Sequence, residues 1–282
     1  MTHEMTHCLW FDGKAQEAAA FYQSVFSDYS PISENPFAVN YRMGGRRFMH
    51  LNGGPGFPIN SSISFFMNLE NEEEIQRVWG KLSEGGQILM PLNTYPWSPT
   101  YGWCADRYGV NWQLMKNHES RTAAMPALMF CQENNGKAEE AIQFYTSLFP
   151  NSSIIHISRY EKGEPDVEGN IKYAHFELNQ LPFTAMDSSM PHAFRFSEGV
   201  SFIVTVDTQE EIDFYWNSLI GTKGFAGKCG WLKDAYGLSW QVVPSCLGPF
   251  MSNPATAPKA TYAFLQMTKF DIAALEKACL LD

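Results

Sequence analysis

The chain has 282 residues, 45% hydrophobic and 15% aromatic, which is material for two hydrophobic cores, and no apolar run reaches the roughly 18 residues that a membrane-crossing helix needs. A formal charge of -10 disfavours nucleic acid, whose phosphates are gripped by clustered Lys and Arg; the small basic group Arg42, Arg46 and Arg47 reads as an exposed hairpin or as a binding patch. The opening Met1-Thr-His-Glu-Met-Thr-His7 lacks a basic segment followed by an apolar stretch, and Cys8, Cys104, Cys131, Cys229, Cys246 and Cys279 form neither close pairs nor zinc spacings. The expectation is a cytoplasmic protein with reduced thiols and with no nucleic-acid or membrane partner.

In chain order, Cys8-Leu-Trp-Phe11 is too short for a helix and reads as a buried strand. Ala18, Phe21, Tyr22 and Val25 then recur at i, i+3, i+4 and i+7, the stripe of an amphipathic helix. Ala38–Met43 and Arg47–Leu51 flank Gly44-Gly45 as an antiparallel hairpin, and Gly53-Gly-Pro-Gly56 follows as a loop. Ser62–Met67 reads as a strand feeding a helix capped by Asn71 with Glu74. An aromatic loop, Tyr95-Pro-Trp-Ser-Pro-Thr-Tyr-Gly-Trp103, leads to a last strand, Gly109–Met115.

The text then begins again. Gly13–Phe26 returns as Gly136–Phe149, and Glu74, Ile75, Trp79 and Leu82 return as Glu211, Ile212, Trp216 and Leu219. Trp103, Asp106, Gly109, Trp112 and Gln113 return at the same spacing as Trp231, Asp234, Gly237, Trp240 and Gln241. A repeat of roughly 120 to 140 residues exceeds any solenoid unit and has the size of a domain. Two homologous domains are expected, 1–121 and 122–282, joined near Glu119–Pro126. Each has the order strand, helix, three strands, twice over, so the fold class is α+β with two βαβββ modules per domain. Thr208 with Glu211 caps the second helix of the second copy, and Asp271–Cys279 forms a helical tail.

These blocks resemble the vicinal-oxygen-chelate superfamily of glyoxalase, bleomycin-resistance and dioxygenase proteins, and within it the PhnB-like group, often labelled 3-demethylubiquinone-9 3-methyltransferase-like. The likeness is carried by Leu9-Trp-Phe with Gly13-Lys-Ala-Gln-Glu-Ala and Phe21-Tyr, by their copies at Leu128, Gly136 and Phe144, by Gly230–Pro244, and by Lys269-Phe-Asp-Ile-Ala-Ala-Leu. It covers nearly the whole chain, and it implies tandem glyoxalase-like domains whose mixed or antiparallel sheets are cupped.

Metal enzymes of the superfamily place His on a first strand and Glu on a last strand of a module. By that resemblance His7, six residues before Gly13, His50 and Gln113 are the candidate ligands for a divalent ion. An amide oxygen in place of a carboxylate suits such an ion poorly. The second domain has Pro126, Ala185 and Gln241 at the matching places, which hold no metal. The alternative is structural: His7 a strand-end residue, His50 a partly exposed hairpin residue, Gln113 and Gln241 buried amides bonded to backbone. His156 and His175, without a carboxylate or cysteine at ligand spacing, read as satisfied strand histidines rather than as bases.

The aromatic loop has no counterpart in the second domain, so Trp97, Tyr101, Trp103 and Gln113 are the candidate substrate-binding residues. The methyltransferase label implies a cofactor held by a Gly-rich turn between strand and helix, yet Gly53–Gly56 lies between two strands. No nucleophile elbow, Cys/His signature or phosphate loop is present. The reading is a protein that binds a small apolar or aromatic molecule with no obligatory cofactor; the alternative is a divalent-metal-dependent lyase, transferase or dioxygenase with its site in the first domain. The expected state is a monomer, as a pseudo-dimer of its repeats, or a homodimer.

Overall fold

The computed structural model describes residues 4–116 and 124–280, so most of the expected joint at Glu119–Pro126 lies outside the described residues. Two compact units are present, residues 8–200 and residues 1–7 with 201–282. The chain is α+β, with mixed, cupped sheets and helices on one face, and each repeat is built from βαβββ runs.

The larger unit takes up the first three runs from Cys8 onward. The first is β1 (Thr6–Phe11), α1 (Ala15–Val25), β2 (Ser30–Glu34), β3 (Ala38–Met43) and β4 (Arg46–Asn52). The second is β5 (Ile63–Leu69), α2 (Glu72–Ser83), β6 (Gln87–Tyr95), β7 (Ser98–Ala105) and β8 (Asn111–Lys116). The third is β9 (Met125–Cys131), α3 (Ala138–Leu148), β10 (Ser153–Arg159), β11 (Ile171–Leu178) and β12 (Leu181–Ser188). Strands of the second and third runs form one eight-stranded sheet in the order β10-β11-β12-β9-β5-β8-β7-β6. The end of one repeat and the start of the next therefore share a sheet, through the antiparallel pair β5–β9.

Helices cover one face of that sheet. Trp112 packs against Tyr22 and Phe26 at ring distances of 5.3 and 5.2 Å. Gly102 lies so close to Trp79 of α2 that a Cβ there would stand 2.6 Å from the indole. Asp187 of β12 accepts the backbone N–H groups of Gly136 and Ala138 at the start of α3, using the orphan donors of a helix N-terminus. On α1 the buried stripe is Ala15, Ala18, Ala19, Tyr22 and Val25; Phe21 sits on the flank, where the Arg107 guanidinium lies 4.8 Å over its ring.

The repeated Asp explains the repeated text. Asp106 accepts from the Trp112 indole at 2.8 Å, the Tyr22 hydroxyl at 2.7 Å, and the amides of Tyr108 and Val110. Gly109 closes that turn at φ +84, which a residue with a Cβ adopts with strain. In the second copy Asp234 accepts from the Trp240 indole and the amides of Tyr236 and Leu238, with Gly237 at φ +81.

The smaller unit holds β13 (Val200–Val206), α4 (Gln209–Ile220), β14 (Phe225–Ala226), β15 (Trp231–Lys233) and β16 (Ser239–Pro244), paired in the order β14-β15-β16-β13. Thr208 and Glu211 form the expected capping box, as Asn71 caps α2. After β16 come three helices where one was expected: α5 (Leu247–Ser252), α6 (Ala257–Leu265) and α7 (Ile272–Leu280), packed around Ala260, Leu275 and Cys279. All six cysteines are free thiols, and among the described residues no helix is long and apolar enough to cross a membrane.

Candidate binding site

Strand alternation decides what faces away from the helices. In the eight-stranded sheet Trp112 and Leu114 point to the helices, so Trp103, Gln113, Phe66 and Ser64 point to the concave face. Register carries the same face across to β9 and β12, pairing Ser64 with Ala127 and Ala127 with Thr184. The small side chain at Ala127 leaves a recess with room for about one water molecule, bordered by Ser64, Gln113, Met129, Thr184 and Met186.

Gln113 is buried and both ends of its amide are held. Its Oε1 accepts from the Tyr101 hydroxyl at 2.7 Å, and its Nε2 donates to Ser64 Oγ at 2.7 Å. Burial, helped by Tyr95, raises the Tyr101 phenol well above its ordinary range, so the hydroxyl remains a donor at neutral pH. Gln241 keeps half of this arrangement, donating to Ser201 Oγ at 3.0 Å.

The expected aromatic loop is a hairpin. Tyr95 pairs with Ser98 around the turn Pro96-Trp97, at the end of a ladder whose register shifts three times along its length. The hairpin gathers Tyr95, Trp97 and Tyr101: Tyr95 stacks on Trp97 at 5.1 Å and 21°, and Tyr101 stands 5.6 and 5.8 Å from them. Phe66 is 6.3 Å from Tyr101. Trp97 is 60% exposed, whereas Trp103 is half-buried and donates its indole N–H to Asn111 at 3.2 Å. The structure thus brings Trp97 and Tyr101 together beside Gln113, with Trp103 paired to Gln113 across the strands.

Two of the suggested metal ligands, His50 and Gln113, have their donor atoms already engaged. His50 is fully buried rather than partly exposed, and it faces α1 with Phe11 at 4.6 Å and Tyr22 at 5.5 Å. The Ala15 carbonyl is 3.1 Å from His50 Nδ1, and since a carbonyl only accepts, Nδ1 carries the proton. Nε2 therefore accepts from the Tyr41 hydroxyl at 2.6 Å. Burial brings the proton affinity of His50 down to about pKa 3, against a smaller opposing effect of the Ala15 bond. His7 shares its strand face with Leu9 and Phe11, and its ring meets Phe202 edge-on at 5.6 Å. Gln113 faces the other way, on the helix-free side of its own sheet. With both His50 nitrogens and both Gln113 amide atoms engaged, this set does not fit a divalent ion. Among the described residues no three His, Cys, Asp or Glu side chains are grouped to hold one.

Two features of the concave face were not anticipated. Thr184 borders the recess, which its sequence context did not signal, because only the register with Ala127 puts it there. His175, expected to be satisfied, has its Nε2 buried with no hydrogen-bond partner. Burial lowers its proton affinity, the nearby Glu177 raises it, and His156 lowers it.

A sequence model of the family described as 3-demethylubiquinone-9 3-methyltransferase matches residues 3–115 and again residues 122–243. The chain belongs to this family. The two matches are the two repeats, and they place the chain in the PhnB-like branch of the vicinal-oxygen-chelate fold. A family structure, a putative 3-demethylubiquinone-9 3-methyltransferase, PhnB protein, from Bacillus cereus, is 36% identical, covering 40% of this chain and 98% of that one with a TM-score of 0.38. Protein PA1353 from Pseudomonas aeruginosa is 23% identical over 41% of this chain and 98% of that one, with a TM-score of 0.35. Glyoxalase I from Zea mays covers 86% of this chain and 91% of its own at 11% identity and a TM-score of 0.55, a likeness of fold. No curated protein matches this chain.

Proposed function

We propose that this protein binds a small apolar or aromatic molecule on the concave face of the sheet formed by β5–β12, without needing a divalent ion. The observation that carries the reading is the cluster of Tyr95, Trp97 and Tyr101, with Trp97 60% exposed, joined through the Tyr101 hydroxyl to the buried amide of Gln113. Aromatic walls with a few fixed polar groups are how proteins hold small organic molecules. An exposed, stacked indole at the mouth offers a flat face worth more when a second ring covers it. The recess at Ala127 has space for about one water, which suits a polar substituent, while the ring lies against the wall above.

The family name speaks of methyl transfer, which calls for a bound methyl donor. The glycines at 53–56 do not fit that role: they join strand to strand, the Gly54 carbonyl accepts from the Trp10 indole, and a Cβ on Gly53 would meet that indole at 2.1 Å. Their purpose is close approach of backbone to an aromatic ring. In the same reading the protein works in the cytoplasm, its domains divide at 121/122, and it is a monomer whose repeats replace a dimer, or a homodimer; light scattering separates those two.

The test is ligand-observed NMR with a library of substituted benzenes and naphthalenes, before and after treatment with a chelator. Saturable binding that survives chelation and weakens about tenfold in Trp97→Ala supports the reading. Binding lost on chelation, or indifferent to Trp97, contradicts it.

A further inference from the structure

We propose that His175 is the hydrogen-bonding anchor for a neutral, hydroxyl-bearing ring on this concave face; the inference rests on the reading that the face holds a small aromatic molecule. Register places His175 of β11 opposite Thr184 of β12, Thr184 opposite Ala127, and Ala127 opposite Ser64. Residues paired in this way share a face, their Cβ atoms about 5 Å apart from strand to strand. A row runs across the sheet from an imidazole through a hydroxyl, over the gap at Ala127, to a second hydroxyl that already accepts from Gln113.

The imidazole end of the row is unfinished. His175 Nε2 is shielded from solvent and bonded to nothing, a state that buried polar atoms rarely keep and that an incoming partner relieves. The ionisable side chains beside it are His156, paired with it on β10, and Tyr173 and Glu177 on its own strand; facing β12 presents Pro182, Thr184 and Met186 there. Burial keeps the ring neutral near pH 7, chiefly outweighing Glu177. A hydroxyl both donates and accepts, so it pairs with either tautomer of a neutral imidazole.

Charge narrows the class further. The cations of these strands point elsewhere: Lys116 reaches Glu72 of α2, Arg159 reaches Glu139 of α3, and Lys172 pairs with Glu164. With Glu177 on the concave face and no Lys or Arg among the described residues of that face, a carboxylate or phenolate finds no counter-charge. The fitting ligand is a phenol or similar hydroxylated ring in its neutral form.

The experiment compares 4-nitrophenol with 4-nitroanisole, the same ring with the hydroxyl masked as an ether. Calorimetry on the full-length protein is run where absorbance shows the phenol to be protonated. Wild type is expected to prefer the phenol about tenfold. His175→Phe should bring the two probes within about twofold while keeping the affinity for the anisole, and His175→Gln should retain most of the preference. As a readout independent of any variant's folding, the Nε2 resonance of His175 in labelled wild-type protein should shift on adding 4-nitrophenol and stay put with 4-nitroanisole. Equal affinities in wild type, a preference that survives His175→Phe, or a silent His175 resonance overturns the role of His175 while leaving the site reading intact. Binding of neither probe overturns both.

Discussion

Asp106 and Asp234 serve the same purpose in the two repeats, each tying a Trp indole and two turn amides to one carboxylate. Gln113 and Gln241, seven residues further on in each copy, do not match so closely. Both donate to a serine on the neighbouring strand, but Gln113 alone is met by a tyrosine, because Tyr101 belongs to a long hairpin where the second copy has Cys229 ahead of the three-residue strand β15. The repeats share what builds the turn and the core. They differ on the face turned away from the helices, where a binding surface can change without disturbing the fold.

The shared half breaks first under mutation. Asp106→Ala leaves two side-chain donors and two amides without their acceptor, and is expected to cost about 3 kcal/mol or more in a denaturant titration. Asp234→Ala should be comparable, and a loss below about 1 kcal/mol in either would end the claim that the two turns are equivalent.

On the helix side the repeats differ at His50, where the second repeat has Ala185. The folded pKa of His50, about 3, lies below the unfolded value, so the unfolded chain takes up the proton first. The stabilisation is fully present above about pH 6.5 and is lost as pH falls toward about 3, the loss reaching about 2 kcal/mol by pH 5. His50→Gln should flatten that limb of the stability curve; an unchanged slope would mean that another group drives it.

On the concave face the effects are smaller and shift from stability to binding. Tyr101→Phe removes one hydrogen bond from the Gln113 amide, an expected loss of about 1 kcal/mol in stability and about tenfold in ligand affinity. Trp97→Ala, at an exposed position, should change stability by less than about 0.5 kcal/mol and still weaken binding about tenfold. A Trp97 variant that melts early but binds normally would assign the hairpin to the core.

Much of this division is legible in the sequence, and the rest is lost for definite reasons. The period of Ala18, Tyr22 and Val25 marks α1, and Asn71 and Thr208 mark the starts of α2 and α4, because helix signals are local. The sharing of one sheet by β5–β8 and β9–β12 is not legible, since strand partners are chosen by long-range packing that leaves no local trace. Alternation puts His7 in step with Phe11, but not on a known side. The buried state of His50 depends on Tyr41 and Ala15, distant in sequence and brought near by the β3–β4 hairpin and α1. Asp106 did leave a signal, an acidic residue kept in both copies three before a Gly and six before a Trp, which is the spacing of a turn closed by a side chain.

The most direct test of the central claim uses the repeat itself as its control. The side-chain amide resonances of Gln113 and Gln241 are followed in labelled protein during a titration with 4-nitroanisole, the probe that needs the aromatic wall and not His175. A saturable shift of the Gln113 pair is expected, with the Gln241 pair unmoved. Movement of Gln241 in place of Gln113, or stillness of both at saturating probe, would contradict it.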